Sequence, residues 1–354
     1  MPPPVRLSDV TGQDRAIAQL RAALRSGRVH HAWLLAGPPG VGKETTARAF
    51  AAALLCKEGG DVPATEACGV CASCQKVARG VHPDFVVVMP EAEAVARKVL
   101  AREDLPRTPS RDLKIDQIRQ VEAQLVHAPL EGRRRVVLLL SADSLNAAAQ
   151  NAFLKTLEEP PAGTHLLLVA DAGDALLPTI RSRCVRVPFA PLPLDFVAAR
   201  VREAKGVDEE TARLAAALSG GSLGGALAVS AESLADRARI LEALEALHGD
   251  DLRPLLAFAE ELAGSGREAS EVRLDVIALF YRDAALAAEG LPDEALANRD
   301  LAPLVRRAAE RGAEDALWRV RLATRAKDAL RRHASARLAI EQMLLSMVVP
   351  EVVS

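Results

Sequence analysis

Aromatic residues are scarce in this chain, at 3% of 354 positions. A surface that holds single-stranded nucleic acid by stacking bases needs several exposed rings, so that mode is excluded. Net charge is nearly absent too, at -2, which excludes a polycation built to coat phosphate backbones. No apolar run approaches the ~20 residues of a membrane-spanning helix. Met1 to Asp9 carry no apolar core of a secretory signal, so a cytoplasmic chain without membrane contact is expected. Cysteines number only five. Four of them crowd between positions 56 and 74, a pattern that favours a metal in a reducing compartment over a disulfide scaffold. What is abundant is apolar: 49% of residues are hydrophobic, enough to exclude broad disorder. The length allows about two or three domains. Basic residues are mostly Arg and Ala is plentiful, which reads as compositional bias rather than a binding signal.

The first half alternates strands and helices. Residues 13–25 have the helical spacing of Ile17, Leu20 and Leu24. Residues 31–36, 85–88, 136–140 and 166–170 are continuous apolar runs, as strands buried on both faces of a parallel sheet require. Helices are predicted over 43–55 and 144–158, the latter stopped by Pro160-Pro161, with a last strand at 185–189. This is a doubly covered α/β domain. After the Pro-rich stretch near 188–193, amphipathic segments at 194–205 and 208–218 lead into Gly220 to Gly225. From about 231 onward every segment has helical period and none reads as a strand.

Gly37-Pro-Pro-Gly40-Val-Gly42-Lys43 follows a strand and opens a helix, the setting of a phosphate-binding loop. The glycines let backbone N–H groups wrap a phosphate, and Lys43 would reach the outer phosphates. The next position should hold Mg²⁺ through a Ser or Thr hydroxyl. Here it is Glu44, whose carboxylate would compete with phosphate for the helix N-terminus, and Thr45 comes one place late. Strand 136–140 should end in a metal-binding Asp followed by a water-activating Glu. Leu140 and Ser141 occupy those positions, and Asp143, the nearest acid, is expected to cap the following helix. No ATP hydrolysis by the chain alone is expected. The loop is either a relic turn or a weak site for ATP or ADP.

Cys68-Gly-Val-Cys71-Ala-Ser-Cys74 makes two overlapping C-x2-C steps, and Cys56 ends the preceding helix. Four thiolates at this spacing match a closed tetrahedral zinc site. Only Lys76 and Arg79 add positive charge beside it, so the zinc is expected to be structural.

Taken in order, several motifs resemble the bacterial clamp-loader branch of the AAA+ ATPases over essentially the whole chain. They are Gly12-Gln13, His30-His31-Ala32, Gly37 to Lys43, the cysteine run, His82-Pro83-Asp84, Asn151 to Pro161, and Leu177 to Cys184. The resemblance implies a P-loop AAA+ domain over 1–189 with the zinc module at 56–74. It further implies a small helical lid over 190–232 and an all-helical collar over 233–354 that oligomerises into a ring. The same four cysteines are implied as ligands. Ser182-Arg183-Cys184 is implied to project Arg183 into the ATP site of the next subunit, where a guanidinium neutralises charge on the transferred phosphoryl group. Arg181 and Arg186 are weaker candidates, and Cys184 is expected to be a small buried side chain rather than a nucleophile. The lid arginine that senses nucleotide in hydrolysing relatives falls at Gly224. The implied partners are gamma/tau- and delta-type subunits, and through them the sliding clamp and primed DNA, in the cytoplasm at the nucleoid. The expected role is a non-hydrolysing subunit that helps load the clamp. An active gamma/tau-like ATPase with an unusual loop is the alternative, and a zinc-dependent DNA-binding protein the third reading.

Overall fold

The continuous apolar runs form strands of a parallel sheet. A computed structural model describes residues 6–105, 107–249, 251–264, 266–331 and 334–349. Met1–Val5 of the expected signal-free start, and 350–354 of the expected collar, lie outside them. The strands are β1 (Ala32–Ala36), β2 (Phe85–Val88), β3 (Arg135–Leu139), β4 (Thr164–Ala170) and β5 (Val185–Pro188). They pair in the order β2-β3-β4-β1-β5, every pairing parallel. Alternate side chains enter two cores. Trp33, Leu35, Val136, Leu138 and Leu167 face one, while Leu34, Val137, Leu139, Leu166 and Leu168 face the other. With both faces covered, polar alternation has no place, which is why these strands read as unbroken apolar runs.

The first core is closed by α1 (Asp14–Arg25), α2 (Lys43–Leu55), α3 (Ala72–Arg79) and α4 (Glu91–Ala96). The second is closed by α5 (Ile115–Leu125), α6 (Ala147–Glu158) and α7 (Pro178–Arg181). The sequence patterning missed α3, α4 and α5. The helix expected over 144–158 starts later, after a 3-10 turn at Ala142–Ser144. The cap is Asn146, whose side chain accepts the Ala149 N–H at 2.9 Å. The expectation that Asp143 caps this helix is therefore corrected. It lies in the preceding turn, and its carboxylate accepts the backbone N–H groups of Asp171 and Ala172 at 3.3 and 3.2 Å.

His82-Pro83-Asp84 sets a buried ionic knot. The Asp84 carboxylate is fully buried and accepts the N–H groups of Leu130 and Glu131 at 2.7 and 2.8 Å. Arg135 lies 3.5 Å from it and donates to the carbonyls of Gln124, His127 and Ala128. Asp84→Ala strands a buried guanidinium and two amides, so a loss of about 3–5 kcal/mol is expected in a denaturant titration. A loss under about 1 kcal/mol would mean the knot relaxes to solvent.

The chain divides into two compact units, Met1–Pro193 and Leu194–Ser354. The second holds the segment expected as collar, 233–354, and all of the expected lid but its first residues, 190–193. That unit holds α8 (Leu194–Lys205), α9 (Glu209–Leu218), α10 (Leu223–Ala228), α11 (Ala231–Glu245) and α12 (Leu252–Ala263). It continues with α13 (Arg267–Ala288), α14 (Ala302–Ala309), α15 (Ala313–Arg331) and α16 (Ala336–Val348), with no strand among the described residues. The glycine-rich segment is partly helical: α10 contains Gly224 and Gly225, and Ser222 caps it by accepting the Gly225 N–H at 3.0 Å. Leu274, Ile277 and Phe280 pack with Leu330, Ile340, Met343 and Leu344, so these C-terminal apolar side chains are spent inside this unit. Among the described residues no helix is long and apolar enough to cross a membrane.

Candidate functional site

The phosphate-type loop joins β1 to α2, as its glycines predict. Gly37 sits against Phe189, just past β5: a side chain there would clash with the Phe189 carbonyl. Gly42 takes φ 98° to open the helix, a conformation that favours glycine. Gln13 ties the loop down, donating to the carbonyls of Val41 and Ala190 at 3.2 and 2.8 Å.

Lys43 does not reach outward. It is 4% exposed, and its ammonium donates to Gly37 O at 2.6 Å, to Pro38 O, and to the Asp171 carboxylate at 2.7 Å. An ammonium has three donors, and all three are taken by this chain. Glu44 turns to arginines rather than to the loop. Arg97 grips it through both oxygens at 2.9 and 2.8 Å, and Arg48 adds a bond at 2.8 Å. Burial pushes the Glu44 carboxyl up, but the Arg97 and Arg48 hydrogen bonds outweigh it and hold its pKa below the usual value. Arg97 also pairs with Glu93 at 2.6 Å, and Glu93 accepts the Ser141 hydroxyl at 2.9 Å. Arg97 and Glu93 together thus link the two positions where a working site would place its metal-binding hydroxyl and its catalytic acid. Thr45 is exposed, and Leu140 is buried in the first core. Gly40 takes φ 69° in the loop.

The four cysteines converge. The sulfurs of Cys56, Cys68, Cys71 and Cys74 all lie within 4.8 Å of one another. Cys56 follows α2 and Cys71 caps α3, so two helix ends present them. The Cys68–Cys74 sulfur separation is 3.9 Å. A tetrahedron with metal–sulfur bonds of about 2.3 Å has edges of about 3.8 Å, so the donor set fits a four-coordinate thiolate centre. Cys71 N–H points at the Cys68 sulfur and Cys74 N–H at the Cys71 sulfur, at 3.3 and 3.4 Å. Burial pushes the Cys56 and Cys74 thiols up. Burial also raises Cys71, but backbone donors at Cys74 and Lys57, with its neighbouring thiols, bring it down to about 7. Lys76, one of the two basic residues flanking the cluster, pairs with Glu131.

Arg183 follows α7. Its Nη1 donates to Thr179 O at 2.9 Å and its Nη2 to Glu158 at 2.6 Å, with the side chain 35% exposed. Arg181 and Arg186 both turn to Asp174, at 2.5 and 3.7 Å. Ser182 is exposed and donates to Thr179 O at 3.1 Å. Cys184 packs beside the second core, and burial pushes its thiol up to about 12, which suits a packing residue rather than a nucleophile.

Residues 12–193, the span that carries this loop, the cysteines and Arg183, match the family described as DNA polymerase III, delta subunit. The chain belongs to that family. It is 40% identical over 196 residues to DNA polymerase III subunit delta' of Pseudomonas aeruginosa, covering 54% of this chain and 53% of that protein. It is 30% identical over 316 residues to the gamma/tau subunit of Mycobacterium tuberculosis, covering 82% and 51%. The chain thus spans about half the length of these curated relatives. A solved DNA polymerase III gamma subunit-related protein from Thermotoga maritima aligns over 93% of this chain and 98% of that one, with TM-score 0.41 and 17% identity.

Within this delta-family chain, sequence reasoning missed Glu93, Arg97, Asp171 and Glu158. Glu93 and Arg97 carried a faint signal, since acid and base four apart share a helix face. Asp171 directly follows β4, but its pairing with Lys43 is tertiary and left no local trace.

Proposed function

We propose that this chain is a non-hydrolysing, delta-prime-type subunit of a DNA polymerase III clamp loader. It sits beside gamma/tau- and delta-type subunits in the cytoplasm, supplies Arg183 in trans to a neighbour's ATP, and so helps place the sliding clamp on primed DNA. The observation that carries this reading is Lys43. Its three donors are spent on Gly37, Pro38 and Asp171, while Arg97 occupies the ground between Glu44 and Ser141. A loop whose lysine ammonium is saturated by its own chain, and which lacks both acids for metal and water, does not drive hydrolysis. Gly224 in place of a lid arginine points the same way.

Residues 190–232 are read as the lid and residues 233–354 as the collar that joins the ring. The gamma/tau-like alternative gains support from the Mycobacterium relative, whose similarity spans more of this chain than that of the delta-prime relative. Leu140 and Ser141 weigh against it. The cysteine centre is assigned to zinc, which when bound supplies a closed crosslink and no chemistry. The chain's own residues do the rest: Cys56 anchors the centre to α2, and Cys68, Cys71 and Cys74 fold the following excursion onto it.

The test is one ATPase assay, on the chain alone and then with its partner subunits. The chain alone is expected to show no turnover above background, and the complex to require it for full activity. Turnover that copurifies with the chain and disappears in Lys43→Ala would overturn the reading.

A further inference from the structure

We propose that Glu158 is the positioning residue for Arg183, holding its guanidinium in the orientation in which a neighbouring subunit's phosphate meets it. The proposal rests on the reading of Arg183 above. Glu158 occupies the last turn of α6, just before Pro160-Pro161. A carboxylate there opposes the helix dipole, so nothing local to the helix favours it. Its partner in the structure is Arg183, through a bond of 2.6 Å across 25 residues of sequence. Thr179 O takes the guanidinium's other end at 2.9 Å. Two acceptors from two different elements therefore fix one planar group.

Of the five N–H donors of an arginine, these bonds engage only two, and the side chain is 35% exposed. An incoming anion reaches the rest without breaking either contact. Without the clamp, an exposed arginine samples many rotamers and loses that freedom only when the phosphate arrives. With it, the ordering is done beforehand, which is how preorganised donors act on charge that develops in a transition state. A purely structural reading explains less. Both partners are solvated, at 35% and 50% exposure, and such pairs add little to stability.

The test uses complexes reconstituted with partner subunits and wild-type, Glu158→Ala, Glu158→Gln, Arg183→Ala or doubly substituted chain. The readouts are kcat and KM for DNA-stimulated ATP hydrolysis, and the melting temperature of each chain. Glu158→Ala is expected to lower the Arg183-dependent part of kcat by about two- to fivefold, the range an exposed pair can bias, with KM and melting unchanged. Glu158→Gln, which keeps an acceptor oxygen of the same reach, should restore most of it. The double variant should be no slower than Arg183→Ala alone. Glu158→Ala at the wild-type rate beside a slow Arg183→Ala would overturn the role of Glu158. So would an additive double variant, or a fall that tracks lost melting temperature. If Arg183→Ala itself runs at the wild-type rate, the underlying reading of Arg183 fails instead.

Discussion

Purified chain is expected to carry about one zinc ion, and stripping it should lower the melting temperature by about 10 °C or more. Four sulfurs within 4.8 Å of one another crowd without purpose unless an ion draws them in. The ion joins the C-terminal end of α2 to an excursion that also packs Ala67, Cys74 and Val77 into the first core and donates from the Ser73 hydroxyl to Leu55 O at 2.5 Å. Arg6 donates to Cys68 O at 2.5 Å, Glu66 accepts the Leu7 N–H at 2.7 Å, and Arg21 pairs with Glu66 at 2.9 Å. Losing the centre should therefore loosen residues 57–79 and the turn at Leu7–Asp9 together. Zinc is worth about 10–16 kcal/mol in finger peptides that fold only around it. Here the parallel sheet has buried cores of its own on both faces, so a smaller share of about 3–5 kcal/mol is at stake, and each kcal/mol moves a domain of this size by about 2–4 °C. Elemental analysis and calorimetry with and without chelator measure both halves. Cys74→Ser should lose the metal, whereas Cys184→Ser, outside the cluster, should keep it. A metal-free chain that melts like the native one would sink the claim.

The parts legible in sequence are those whose physics is local or periodic. Strands buried on both faces announced themselves as apolar runs, and β2 lies at 85–88 as expected. The cysteine spacing located a centre that the fold does assemble. Short helices escaped where a cap did the work that periodicity does elsewhere: α3 starts on Cys71, itself read as a ligand, and α10 starts on Ser222 inside a glycine run. The state of the phosphate loop was not legible at all. Glu44 marked a defect, but what fills the site comes from Asp171, Glu93 and Arg97, on elements far along the chain. Sequence showed which groups were missing, and only the fold shows what took their place.

Arg183→Ala should leave folding and assembly intact while cutting ATP hydrolysis by the assembled complex, and clamp loading more deeply still. On the stability side, the substitution removes one solvated pair with Glu158 and one exposed hydrogen bond to Thr179 O, together worth about 1–2 kcal/mol at most. On the catalytic side, an arginine supplied in trans is worth about 10³–10⁵ in rate at the site it completes, or about 4–7 kcal/mol. The gap between those magnitudes makes the experiment decisive, because a misfolding artefact would reverse their order. This chain has no acids of its own to serve, with Leu140 and Ser141 where they should be, so Arg183 gains nothing by acting in cis. Only the interface completed by this subunit loses its arginine, so total turnover should fall in part, unless firing is coupled around the ring. Clamp loading depends on the sites acting together and should fall further. Arg183→Lys should rescue poorly, since an ammonium is a point charge without the planar fork that grips a phosphoryl group. Arg181→Ala and Arg186→Ala serve as controls, because both side chains are turned to Asp174. Equal rates for wild-type and Arg183→Ala complexes would make Arg183 an ordinary surface arginine and overturn the proposed role in trans.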